Sequence, residues 1–332
     1  MATDKPFKTI DEQIDLLKNT RHLSFNNEEE AKNLLQRYGY YEIINGYKTP
    51  FLIDPANDDK GFTDGASFEH IFDLYKLDRN IRRDLLQSLE YFEQTFKQSL
   101  AYTISELISD DQNRYTSTLH YNTGKSRNGR HIHNDRDNLL LKFNKLGKSN
   151  KQPFKHYRED HNNVPPWIMI KGLTFGESIY WYRLSKPDIR LDVISKLMNS
   201  NPFLLKTANK KLQISQTFGD LLGLYLNYRN LAAHGGRIYN HRSERYRLRW
   251  SPLIYPNIIT VSRKEFNKGK FRSSVGAIVA SLKLFDNPEP YTYLNAWLRV
   301  DLEDYFQKHE DDEEYLLNTL ELDDAHTKFA IK

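Results

Sequence analysis

An arginine, the asparagine directly after it and a histidine five residues beyond the arginine stand together in the stretch YRNLAAHGGRIYN, as Arg229, Asn230 and His234. They bring a permanent cation, a neutral hydrogen-bonding group and a proton-transfer group within little more than one helical turn. Cleavage of an RNA chain by its own 2′-hydroxyl needs a proton taken from that hydroxyl, charge stabilised on the phosphoryl oxygens and a proton given to the leaving 5′-oxygen. His234 is the candidate acid or base, because an imidazole changes charge near neutrality. Arg229 is the candidate phosphate clamp, since a guanidinium stays charged and can grip two phosphate oxygens at once. Asn230 stands four residues before His234, on the same side of a helix, where its amide could orient the imidazole or the phosphate. This chemistry calls for neither a metal nor a cofactor. A single histidine serves poorly as base and acid in one concerted step, and the chain holds one convincing copy of the motif. A symmetric homodimer that brings two such helices together is therefore expected.

The spacing alone is common in a chain rich in Arg and His. Arg114 with His120, and Arg127 with Asn128 and His133, offer rival sets, but both fall in a polar, glycine-containing segment that gives catalytic geometry little support. Downstream of the motif, Arg237, Arg242, Arg245, Arg247 and Arg249 stand against Glu244, with Tyr239, Tyr246 and Trp250 among them. Such residues can hold phosphates and stack on unpaired bases, or can equally serve packing and ion pairs. Arg237 and Asn240 are the candidate site-supporting residues. Arg242 and Arg245, with Lys125, Arg127, Arg130, Lys142 and Lys145, are the candidate RNA contacts. His131, His133 and Asp135 lack a clear fourth ligand in a positive neighbourhood, so no metal site is expected there. Phosphate-binding, dinucleotide and nucleophile-elbow glycine motifs are missing from the sequence, which disfavours nucleotide hydrolysis, dehydrogenase and esterase chemistry.

The elements that must position the motif read as helices. Thr9 and Glu12 form a capping box ahead of Ile10, Ile14 and Leu17, and a second helix follows Asn26 and stops at Gly39. YYEIINGYKTPFL reads as a packed connector. Over residues 68–108, Ile81, Leu85, Leu89, Phe92, Phe96, Leu100 and Ile104 recur at helical spacing, so that stripe must face a core. Asp78, Arg79, Arg82 and Arg83 beside it suit a solvent-facing or interhelical ion-pair network. Residues 115–155 turn to Ser, Asn, Gly, Lys and Arg around one plausible helix with Leu139, Leu140, Phe143 and Leu146, the best candidate for a mobile insertion. Ordered structure resumes at VPPWIMIKGLTFGESIYWYRL, with a further helix near 189–198. Leu221, Leu222, Tyr225, Leu231 and Ala232 then lead to Gly235 and Gly236, placing the motif at the end of a buried helix. RLRWSPLIYPNIITVSR could hold a short strand pair or an extended excursion, and residues 273–285 and 291–306 read as closing helices. This divides the chain into an N-terminal helical region (1–67), a helical core (68–306) with a basic insertion at about 114–158, and an acidic tail (307–332).

Composition bounds the rest. With 28% charged residues and no long apolar run, nothing in the chain could span a bilayer. The start MATDKPFKTIDEQ lacks a basic end followed by an apolar stretch, and there is no cysteine, so a reducing cytoplasmic setting is expected. Residues 114–158 carry eleven Lys and Arg against two acids, whereas 301–324 carry eleven acids against one Lys. That polarity suggests a basic surface for a polyanion and an acidic end that repels it, shields it or docks on a basic neighbour, unless both are simply solvated faces.

The stretch NYRNLAAHGGRIYN resembles the Arg-Asn-x-x-x-His signature of HEPN ribonucleases, and its extension through Arg237 and Asn240 resembles the Abi-like (AbiD/AbiF-type) abortive-infection proteins. KPFKTIDEQIDLLKN, YGYYEIINGYKTPF, LYKLDRNIRRDLLQSLEYFEQTFK and FKHYREDHNNVPPWIMIKGLTFG are similar to that family in the same order, over about residues 5–245. The resemblance implies a mainly α fold, a HEPN-like helical bundle with additional N- and C-terminal helices and the basic insertion. It also implies metal-independent RNA cleavage, phage defence through growth arrest or cell death, and distant kinship with the nucleases of RNA-guided type VI CRISPR systems. Relatives often carry a second histidine directly after the motif histidine, where this chain has Gly235. The alternative is a non-catalytic RNA-binding protein in which the same scaffold holds a structured small RNA. A purely structural helical interaction protein is a third reading.

Overall fold

In the computed structural model, which describes residues 6–126, 134–322, Thr327 and Phe329, the chain is mainly helical. Helix α1 (Ile10–Asp15) starts at the Thr9/Glu12 capping box, and α2 (Glu28–Tyr38) starts where the Asn27 side chain accepts from Glu30 N–H. Gly39, at φ 87°, ends α2. The connector that follows winds one π-helical turn at Tyr41–Asn45 and buries Ile43, Ile44 and Tyr47.

Helix α3 (Phe68–Leu107) is the axis of the molecule, 40 residues and so about 60 Å long. Ser67 caps it by accepting from His70 N–H, and its expected apolar stripe is buried throughout. That stripe continues without Gly or Pro because successive large side chains at i, i+4 each find a packing partner.

Over its described residues, the segment expected to be a mobile insertion packs instead. It contributes α4 (Gln112–Tyr115), α5 (Asp135–Gly147) and α6 (Phe154–Asp160), and it buries Tyr115, Tyr121, Leu139, Phe143 and Phe154. The Tyr115 hydroxyl donates to Val164 O at 2.6 Å, the Tyr121 hydroxyl donates to Tyr115 O at 2.6 Å, and Trp181 Nε1 donates to the Tyr121 oxygen at 3.1 Å. These aromatic residues are sparse among polar ones, so composition hid them, yet each buries a large ring and satisfies its polar atom.

Helices α7 (Pro166–Met169), α8 (Phe175–Leu184), α9 (Pro187–Leu197) and α10 (Pro202–Leu212) follow, and three of them begin with proline, whose fixed φ suits the first turn. Helix α11 (Ile214–Ala233) then lies along α3 and buries Phe218, Leu221, Leu222, Tyr225 and Tyr228. The region read as a possible strand pair contains no strand among the described residues. Ser251 O accepts from both Ile254 and Tyr255 N–H, which closes turns around Pro252, and a short α12 (Arg263–Asn267) follows. Helix α13 (Val275–Leu282) and α14 (Glu289–Phe306) close the core, with α14 packed along α3, and α15 (Glu313–Leu320) caps that end.

The acidic end docks on basic side chains over its described part. Asp312 Oδ2 pairs with His70 Nε2 at 2.7 Å and accepts from the Tyr305 hydroxyl at 2.6 Å, while Glu321 lies 3.6 Å from Arg242. Leu316 and Leu320 bury the inner face of α15. Among the described residues no helix is long and apolar enough to cross a membrane.

Candidate active site

The motif forms the last turn of α11. His234 is its C-cap, with its backbone N–H donating to Asn230 O at 3.0 Å. Gly235 N–H then donates to Ala232 O and Gly236 N–H to Leu231 O, the paired bonds of a Schellman ending. The ending requires a left-handed residue after the cap, and Gly235 supplies it at φ 76°.

Two side chains of α3 fix this turn from outside. Arg82 donates to Gly235 O at 2.9 Å and to Gly236 O at 3.2 Å, which satisfies carbonyls at the negative end of α11. Four residues earlier, buried Asp78 accepts from Ile238 N–H at 3.0 Å, Tyr239 N–H at 2.6 Å and the Tyr47 hydroxyl at 2.7 Å. Burial pushes the Asp78 carboxyl up, and its three donors work against that. Asp78 and Arg82 thus hold the backbone after α11 rather than form the expected interhelical ion pairs; of that cluster Arg83 pairs across to Asp301 of α14 at 3.6 Å, and Arg79 is exposed.

Arg229 turns toward α3, half-buried between two carboxylates. Its Nε lies 3.6 Å from Glu93 Oε2, and its Nη2 lies 3.9 Å from Glu90 Oε1. Lys97 holds Glu93 from the other side at 2.6 Å and donates to Leu173 O at 2.7 Å. Asn230 and His234 are exposed, four residues apart on the solvent side of the turn. No hydrogen bond among the described residues joins the side chains of Arg229, Asn230 and His234. The arrangement presents an amide and an imidazole to solvent with a braced guanidinium beside them.

The flanking candidates separate. Arg237 donates to Gly46 O and so ties the motif to the connector before α3, and Asn240 is half-buried beside it. Arg242 is engaged, donating to Thr319 O at 2.6 Å and pairing with Glu321. Tyr239 is buried and stacked on Tyr47 with centroids 5.9 Å apart, so it offers no face to a base. Arg245 is exposed and lies over the Tyr246 ring, and Arg249 is bound to Asp220 through two nitrogens. Lys142 pairs with Glu177 at 2.7 Å, which makes it a brace between α5 and α8 rather than a free contact. Lys125 and Lys145 are exposed. Arg127, Arg130 and the rival set of Arg127, Asn128 and His133 lie outside the described residues, as does His131.

Sequence reading missed Glu93 and Lys97. Their signal was an acidic and a basic residue four apart, set into the apolar stripe between Phe92, Phe96 and Leu100, where a solvated pair would not sit.

A family model for Abi-like proteins matches residues 33–240, from within α2 to just past the motif. The chain belongs to the Abi-like protein family. Both parts of the candidate site fall inside that match: Asp78, Arg82, Glu90, Glu93 and Lys97 on α3, and the motif on α11. Helices α12 to α15 lie beyond it. No curated protein and no solved structure matches the chain.

Proposed function

We propose that this Abi-like protein is a metal-independent endoribonuclease of the HEPN type, acting in abortive infection against phage, in the cytoplasm. The observation that carries the reading is the exposed Asn230 and His234 beside an Arg229 braced by Glu90 and Glu93. A phosphodiester seated there meets the Arg229 guanidinium on its non-bridging oxygens. His234 takes the proton from the 2′-hydroxyl, the 2′-oxygen attacks phosphorus, and the 5′-oxygen departs with a proton, leaving a 2′,3′-cyclic phosphate and a 5′-hydroxyl. The second proton-transfer group comes from the same turn of a second copy in a homodimer, which also supplies a second Arg229.

The test compares wild type with His234→Ala and Arg229→Ala on total bacterial RNA. Wild-type fragments with 2′,3′-cyclic ends, lost in both variants while RNA binding persists in His234→Ala, support the enzyme. If wild type yields no such fragments in any activated state while it binds RNA, the non-catalytic RNA-binding reading replaces it. The absence of a hydrogen bond between the motif side chains within one chain is what favours that second reading.

A further inference from the structure

The closing third of the chain builds a second cationic site, outside the motif and beyond residue 240. After α12 the backbone turns through two left-handed residues, Gly269 at φ 98° and Phe271 at φ 55°. For a non-glycine residue that conformation is unfavourable and persists only where neighbours enforce it. Here they do. The Phe271 ring is buried, its N–H donates to Glu321 Oε2 at 2.7 Å, and its carbonyl accepts from the Tyr255 hydroxyl at 2.6 Å.

Anchoring Phe271 inward sets Lys268, Lys270 and Arg272 along one cleft, which Arg242 and Arg247 complete from the segment after the motif. Two carboxylates also line it, Glu244 and Glu321, and Glu321 is already engaged by Phe271 N–H and Arg242. Lys268, Lys270 and Arg247 are exposed and have no ion-pair partner among the described residues. Arg272 is held over the Phe266 ring, 4.7 Å from its centroid, with its Nε donating to Leu248 O at 3.2 Å. Burial, with Arg247 beside it, pulls the Arg272 guanidinium below its usual range. Cations crowded by an enforced turn repel one another, and a bound anion relieves that repulsion.

We infer that this cleft binds the phosphodiester backbone of the RNA strand cut at His234, as a docking site separate from the scissile position. The inference rests on the ribonuclease reading for the identity of its strand. Position supports it. His241, next to Arg242, hydrogen-bonds Asn227 of α11 at 3.0 Å. Asn227 precedes His234 by seven residues, about 10 Å of helix axis and close to the same helix face, so the Arg242 end of the cleft lies against the helix that carries His234.

The test uses the full chain carrying His234→Ala, so that binding is read without cleavage, and a fluorescein-labelled single-stranded RNA titrated between about 50 and 200 mM salt. Adding Lys268→Ala and Lys270→Ala weakens binding about tenfold and lowers the salt slope by about 1.4, and Lys268→Arg with Lys270→Arg restores both. Unchanged affinity and slope in the double alanine variant overturn the cleft and leave the motif reading standing. If the His234→Ala protein shows no salt-dependent RNA binding at all, both fall together. Tripolyphosphate is the second probe, read by thermal shift. If its stabilisation depends on Lys268 and Lys270 while RNA affinity does not, the ligand is a free oligophosphate and the strand assignment is overturned.

Discussion

Arg229 Nε and Glu93 Oε2 face each other at 3.6 Å across the contact between α11 and α3, and neither atom has a hydrogen-bond partner among the described residues. The pair is thus a charge contact without a hydrogen bond, kept in place because Lys97 fixes Glu93 and Leu173 O fixes Lys97. Such a brace aims the guanidinium while leaving it able to move onto a stronger anion.

Glu93→Gln keeps the shape of that side chain and removes its charge. Arg229 loses the nearer of its two carboxylates and Lys97 its counter-ion, so RNA cleavage should slow by about tenfold or more, with stability lower by about 2 kcal/mol. Single-turnover cleavage and urea unfolding read the two effects separately. A stability loss with an unchanged cleavage rate would show that Glu93 serves packing alone.

Gly235→Ala tests the helix ending on which His234 sits. A Cβ at Gly235 meets nothing within 4 Å, so the whole cost is conformational, about 1 kcal/mol from the left-handed backbone. Gly235→Asn should cost less, since asparagine tolerates that region. Equal stability of all three proteins in urea would mean that the turn relaxes out of the Schellman geometry.

Asp301 gives the protein a pH dependence at its α3–α14 contact. Burial raises its carboxyl to about 7, helped by the neighbouring Asp84 carboxyl, which itself takes two hydrogen bonds from Arg83. The folded protein therefore binds a proton here that the unfolded chain releases near pH 4, so this group's contribution to stability declines as pH rises from about 4 to about 7. Asp301→Asn should abolish that decline and stabilise the protein at pH 8 by roughly 2–4 kcal/mol. Urea midpoints at pH 5 and pH 8 for both proteins measure it. A wild-type and a variant profile that run parallel would count against the raised carboxyl.

What local sequence could decide, it decided. The four-residue recurrence from Ile81 to Ile104 specifies α3 because helix hydrogen bonds and the facing stripe are both set within a few residues. The Thr9/Glu12 box, the stop at Gly39 and the ending at Gly235 are local for the same reason, so the position of the motif at the end of a buried helix was legible before any packing was known. Tertiary structure alone decided which charges were free. Lys142 and Arg242 look like free surface cations in sequence, yet their partners Glu177 and Glu321 arrive from distant parts of the chain. It also decided that the polar segment holding Tyr115, Tyr121 and Phe143 packs, because three isolated aromatic residues gain their burial only from Trp181 and its neighbours, some sixty residues distant for Tyr121. The motif could be read from its own residues, whereas the brace on Arg229 exists only where α3 and α11 meet.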